Sequence, residues 1–137
     1  MKKILFCSHG RLCEGMLDTL KVFSLYDEKT MQAIPFYTEG VDSDRLLEEA
    51  AAQIGPQDQL LILTDIAFGS VNQQIMIRFK DWDNVFVLSG MNLMIVLSVL
   101  APTEKWTEDF FAEKVLEARD SIVSMGSLPV TMEEEDE

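Results

Sequence analysis

The sequence predicts an α/β protein built on an open, doubly wound, mainly parallel sheet, and three observations predict it. Short apolar runs alternate with stretches whose apolar residues recur at helical spacing, giving the rhythm βαβαβαβα of a parallel sheet with helices on both faces. The first run, residues 4–7, is apolar throughout, as a strand buried on both sides should be. No internal repeat or linker interrupts the 137 residues. One domain is therefore expected over residues 1–132, followed by an acidic tail at 133–137.

Taken in order, residues 4–7 form the first strand, and Leu12, Met16, Leu17, Leu20 and Phe23 make 11–25 an amphipathic helix. A connector at 26–29 leads to a second strand at 31–36, ended by Tyr37-Thr38-Glu39-Gly40. Asp42 or Ser43 caps a second helix with Leu46, Leu47, Ala50 and Ile54 on its inner face, and Gly55-Pro56 stops it. Residues 59–64 are a third strand, and 65–70 a loop whose Ser70 can cap a third helix running to about 79. A fourth strand at 84–89 turns through Gly90-Met91-Asn92 into a fourth helix through 100, closed by Pro102. A long helix at 107–125 carries Phe110, Phe111, Val115, Ala118, Ile122 and Met125 on one face. The remaining 126–132 suits a short edge strand, where Pro129 is tolerated.

With 47% apolar residues the chain can bury a real core. Its net charge of −13, from 24 acidic and 11 basic side chains, argues against binding to a nucleic-acid backbone or an anionic membrane surface. It suits a partner with a basic docking face. The longest apolar stretch, 93–101, is under half of the roughly 20 residues a membrane span needs, so membrane association is expected only through a partner. No signal peptide is evident, and Cys7 and Cys13 fit free thiols in the cytoplasm.

The only histidine, His9, stands where the first strand gives way to the first helix, in Cys7-Ser8-His9-Gly10. In a parallel sheet the strand-to-helix loops open on one edge, where ligands bind. Three such loops carry Ser8-His9-Gly10, residues 65–70 and Gly90-Met91-Asn92, and they lie side by side if the strand order is 2-1-3-4. Each would aim helix N–H groups at a shared crevice, an anion site with a histidine in it. The chemistry suggested is transient phosphorylation of His9, since imidazole, with an ordinary pKa of about 6.5, is nucleophilic near neutral pH. Asp65 would fix the ring's tautomer, Ser70 and helix N–H groups would hold the phosphoryl oxygens, and Gly10 and Gly69 would let the backbone approach them. Each residue also has a plainer use: His9 and Asp65 as turn residues, Ser70 and Asn92 as helix caps.

A zinc site from Cys7, His9 and Cys13 lacks a fourth strong ligand, so neither a metal nor a cofactor is expected. A histidine phosphatase would need a second histidine, and dinucleotide binding would need G-x-G-x-x-G after the first strand; the chain has neither.

The three turns resemble those of the IIA component of the mannose/fructose/sorbose class of sugar phosphotransferase systems. Cys7-Ser8-His9-Gly10 stands at the family's G-T/S-H-G-type motif, Asp65-Ile66-Ala67-Phe68-Gly69-Ser70-Val71 at its D-x-x-G-G-S-P, and Gly90-Met91-Asn92-Leu93-Met94 at its G-x-N-x-P. The resemblance covers roughly residues 3–125. It implies a homodimer with sheet order 2-1-3-4 and an antiparallel edge strand near the C-terminus, at 128–132, exchanged between subunits. It implies that His9 takes phosphate from phospho-HPr and passes it to a histidine of the IIB component, with Asp65 holding Nδ1 and Nε2 phosphorylated. The chain departs from the pattern at Cys7, Phe68, Val71 and Met94, and Asn72 stands one position early. Two alternatives stay open: a non-catalytic regulatory module on the same fold, and the IIA-like phosphotransferase subunit of dihydroxyacetone kinase. Sugar choice would belong to the membrane component.

Overall fold

The computed structural model describes residues 1–129. It contains β1 (Lys2–His9), α1 (Leu12–Val22), β2 (Met31–Phe36), α2 (Ser43–Ala52), β3 (Gln59–Thr64), α3 (Ser70–Arg78), β4 (Val85–Ser89), α4 (Leu93–Val99), α5 (Glu108–Asp120) and a 3₁₀ turn at Met125–Ser127. The chain divides into two compact units, the first spanning Met1–Leu93 and the second beginning at Met94.

The first unit holds a four-stranded sheet in the order β2-β1-β3-β4. All its pairings are parallel, with Ile4 opposite Met31 on one side of β1 and Leu61 on the other. The predicted order and class are those observed. Leu5, Cys7, Ile34, Phe36, Leu60 and Ile62 face Leu47, Ala50 and Ala51 of α2 and Val71 and Ile75 of α3 in one buried cluster. Because strand side chains alternate, Ile4, Phe6, Leu61 and Leu63 point to the opposite face, and all four are buried too. The α1 helix packs against β1 and β2, and its buried Cys13 and Leu20 lie outside the first cluster, so it covers that second face. Burying each Leu, Ile or Phe contributes about 1.5–3 kcal/mol, which is why a short apolar run suffices to fix a strand's depth. Pro35 sits in β2, an edge strand, where a missing N–H is tolerated.

Helix ends show where local chemistry overrode periodicity. Asp42 is the cap of α2, its carboxylate accepting from Arg45 N at 3.1 Å, a contact of about 1 kcal/mol in general. The α1 helix stops at Val22 rather than 25. Ser24 adopts a left-handed φ of 60°, Ser24 N donates to Lys21 O, and Leu25 N donates to Leu20 O. That is a Schellman end with serine where glycine is usual, so the sequence carries no glycine to mark it.

In the second unit, the predicted long helix ends at Asp120. Ser121 N and Oγ both bond Ala118 O, and Ile122 N turns to Arg119 O, tightening the last turn. Phe111 and Ala118 are buried as expected, whereas Ile122 and Met125 are exposed. The expected edge strand near the C-terminus is not what the described part forms. Residues 125–127 are a 3₁₀ turn closed by Ser127 N to Ser124 O and Leu128 N to Met125 O, and 130–132 lie outside the described residues. Among the described residues no helix is long and apolar enough to cross a membrane.

Candidate functional site

The chain reverses its direction of build at β1, with β2 added on one side and β3 on the other. Such a switch point opens a crevice between the loops that follow the two central strands. His9 is the last residue of β1, and Asp65 follows β3 directly. The two meet there. His9 Nδ1 lies 2.8 Å from Asp65 Oδ2, and His9 main-chain N donates to the same oxygen at 2.7 Å. The other carboxylate oxygen accepts from Ile66 N at 3.0 Å. Burial works against the charged carboxylate. The two hydrogen bonds from His9 and the charge of its ring outweigh that, holding the Asp65 carboxyl below its ordinary range. An ionised carboxylate can only accept, so Nδ1 carries a proton, and in the neutral ring the lone pair is left on Nε2.

The two partners differ in exposure: the His9 side chain is 42% exposed and that of Asp65 only 7%. The carboxylate is shielded and the imidazole is reachable from solvent. On its far side, Nε2 lies 3.4 Å from Ser70 Oγ. Ser70 is the first residue of α3, whose N-cap is Gly69, so the serine is freed from the capping role sequence suggested for it. Its hydroxyl meets Tyr37 OH at 2.7 Å, and Gln74 Nε2 donates to the same phenol at 2.9 Å. The Tyr37 ring also lies against His9, centroids 5.4 Å apart.

The two glycines differ in use. Gly10 has φ +61°, a left-handed turn, and its N–H donates to Phe36 O. It shapes the turn, and its amide is already engaged. Gly69 has an ordinary backbone, but a Cβ placed on it would stand 3.2 Å from His9 Cε1. Its missing side chain is what lets the α3 N-terminus close on the imidazole. That terminus brings the first-turn N–H groups, which have no partners within the helix, and the positive end of its dipole.

Other polar residues hold these loops. Ser8 Oγ accepts from Cys13 N at 2.9 Å and donates to Gly10 O, tying the β1–α1 turn to its helix. Asn72 Nδ2 donates to Ala67 O, and its Oδ1 accepts from the buried Thr64 hydroxyl, both at 2.8 Å. The early position of Asn72 is thus a brace for the β3–α3 loop. The third turn contributes less than expected: Gly90 N and Met91 N both donate to Thr64 O, so these amides belong to the sheet edge rather than to the crevice.

Sequence reasoning brought together His9, Asp65, Ser70 and Gly69, and it missed Tyr37 and Gln74. The available signal was the strand order. The β2–α2 loop opens on the same edge as the other two and lies beside β1, so Tyr37 just past β2 belongs to the site's rim. Of the departures from the family pattern, Val71 is buried in the core and Phe68 is 92% exposed, so neither enters the crevice. Cys7 and Cys13 are buried, and burial pushes both thiols above their ordinary pKa, which disfavours the thiolate that a metal requires. No group of three His, Cys, Asp or Glu side chains is placed to hold a metal among the described residues.

The family model described as PTS system fructose IIA component matches residues 3–116. Among solved structures, a phosphoenolpyruvate-dependent sugar phosphotransferase system (PTS) permease from Klebsiella pneumoniae subsp. pneumoniae MGH 78578 is 28% identical, with a TM-score of 0.80 over 92% of each chain. Phosphotransferase system component EIIA from Streptococcus agalactiae is 26% identical, with a TM-score of 0.71 over 93% of this chain and 100% of that one. The mannose/sorbose specific IIA subunit from Enterococcus faecalis is 20% identical, with a TM-score of 0.74 over 96% and 100%, a likeness of fold alone. No curated protein matches the chain.

Proposed function

The chain belongs to the family of PTS system fructose IIA components, and on that premise we propose that it is the phosphoryl carrier of a phosphoenolpyruvate-dependent sugar phosphotransferase system. His9 accepts the phosphoryl group from phospho-HPr and passes it to a histidine of the IIB component. The observation that carries this reading is the Asp65 carboxylate 2.8 Å from His9 Nδ1, with Nε2 left open toward Ser70. The Nε2 lone pair forms a new N–P bond as the bond to the donor ring breaks, and that electron pair returns to the donor nitrogen. The positive charge that develops on the His9 ring faces a carboxylate. The Ser70 hydroxyl and the first-turn N–H groups of α3 meet the charge on the equatorial oxygens. Transfer to the IIB component reverses the same step. The chain works in the cytoplasm as a homodimer, reaching the membrane only through the transporter.

The test is incubation with enzyme I, HPr and phosphoenolpyruvate, followed by intact mass. One acid-labile phosphoryl adduct is expected, absent in His9→Ala. No adduct, with the donor shown competent on another acceptor, would sink the sugar relay and favour the regulatory module.

Phe68 adds a prediction. A phenylalanine this exposed, on the loop between Asp65 and Gly69, is an apolar anchor for the docking protein. Phe68→Ser is expected to raise KM for phospho-HPr about tenfold, leaving the unfolding midpoint unchanged. An unaltered KM for both donor and acceptor would remove Phe68 from the interface.

A further inference from the structure

We propose that Tyr37, braced by Gln74, is a further phosphoryl-binding residue whose hydroxyl leaves Ser70 and donates to a phosphoryl oxygen once His9 is phosphorylated. The inference rests on the carrier function above.

The first ground is the direction of the hydrogen bonds. Gln74 Nε2 donates to the phenol oxygen at 2.9 Å, and where Ser70 gives its own proton to an unprotonated His9 Nε2, the phenol proton goes to Ser70 Oγ at 2.7 Å. The Ser70 proton is then aimed at His9 Nε2, over a long 3.4 Å. The chain Gln74, Tyr37, Ser70 is thus polarised toward the atom that takes the phosphoryl group. When Nε2 bonds to phosphorus its lone pair is gone, and Ser70 loses its acceptor there. Anionic oxygens replace it in the space the two hydroxyls line. Hydrogen bonds to such oxygens are roughly twice as strong as neutral ones, so both protons swing to them.

The second ground is the placement of Tyr37 itself. It is 64% exposed, so burial is not what keeps it there. Its φ is +58°, a left-handed conformation that a bulky side chain adopts only when its surroundings hold it. The ring contact with His9 and the bonds to Ser70 and Gln74 are those surroundings. Gln74 lies one helical turn beyond Ser70 on α3, on the same helix face, and so braces the phenol from behind.

The consequence is thermodynamic. A donor that binds more strongly to the phosphorylated than to the free histidine pulls the relay's equilibrium toward this chain. Tyr37→Phe keeps the ring against His9 and removes only the hydroxyl. Wild type, Tyr37→Phe and Gln74→Ala would each be brought to equilibrium with phospho-HPr, and the two phosphorylated species quantified by intact mass. The ratio of phosphorylated chain to phospho-HPr is expected to fall about fivefold in Tyr37→Phe and less in Gln74→Ala. The phosphohistidine ³¹P resonance is expected to move in both. A merely structural tyrosine would instead lower the unfolding midpoint of the unphosphorylated protein and leave the ratio alone. An unchanged ratio with an unchanged ³¹P resonance, in a wild type that is phosphorylated, overturns this inference by itself. A wild type that takes no phosphate overturns the carrier function and this inference with it.

Discussion

Asp65→Asn is expected to slow phosphorylation of His9 by about a hundredfold or more at neutral pH. The carboxylate takes three N–H donors: His9 N and Nδ1 on one oxygen and Ile66 N on the other. An amide has one acceptor oxygen and one donating NH₂, so it cannot satisfy all three. With its oxygen toward His9, it keeps the tautomer but loses the negative charge opposite the developing imidazolium, and it sets NH₂ against Ile66 N–H. With its NH₂ toward His9, it faces a main-chain N–H and drives the ring proton to Nε2, the atom proposed to attack. Both arrangements cost rate. The measurement is phosphoryl uptake under single-turnover conditions at saturating donor, and a rate within threefold of wild type would remove Asp65 from the chemistry.

The same carboxylate fixes the sign of a pH effect on stability. Its folded pKa is depressed, so its contribution is fully present above the unfolded carboxylate value of about 3.9 and is lost as pH falls through the folded value. Urea midpoints for wild type and Asp65→Asn are therefore expected to differ above about pH 5 and to converge in acid. A gap that widens as pH falls below about 4 would contradict the hydrogen-bonded, ionised state of Asp65.

The strands were legible because each is built around a short apolar run between breakers. The span 31–36 predicted for the second strand and 59–64 for the third are those observed, and the sheet order follows the resemblance. Asp65 and His9 were legible as a pair because His9 ends one central parallel strand and Asp65 directly follows the other, so topology alone brings them together. Sequence carried less about what sits between elements. The end of α1 depends on a left-handed Ser24, which no glycine announces. Ser70 looked like a cap because serine at a helix start usually is one, yet Gly69 takes that place and the hydroxyl turns to Tyr37. Tyr37 and Gln74 reach the site through a contact across 37 residues of chain, which no local pattern encodes.

Gly69→Ala is expected to lower the rate of His9 phosphorylation about tenfold while leaving the unfolding midpoint nearly unchanged. The backbone of Gly69, φ −86° and ψ 167°, suits alanine, so the substitution carries little conformational strain. Its cost is local. The new Cβ would meet His9 Cε1 at 3.2 Å, with Ile66 Cβ and O at 3.5 Å limiting its retreat. The partly exposed imidazole is what yields. Cε1 lies between the two ring nitrogens, so pushing it disturbs the Nδ1 bond to Asp65 or carries Nε2 further from a Ser70 hydroxyl already 3.4 Å away. Gly10→Ala is the converse control. Nothing lies within 4 Å of its Cβ position, but φ +61° costs a substituted residue about 1–2 kcal/mol. It is expected to lose stability and keep most of its phosphorylation rate once folded. Rate and stability should therefore separate across two glycines of one crevice. If both variants lose stability and rate in proportion, the imidazole is not held by the close approach of Gly69, and the phosphoryl seat must be built from other contacts.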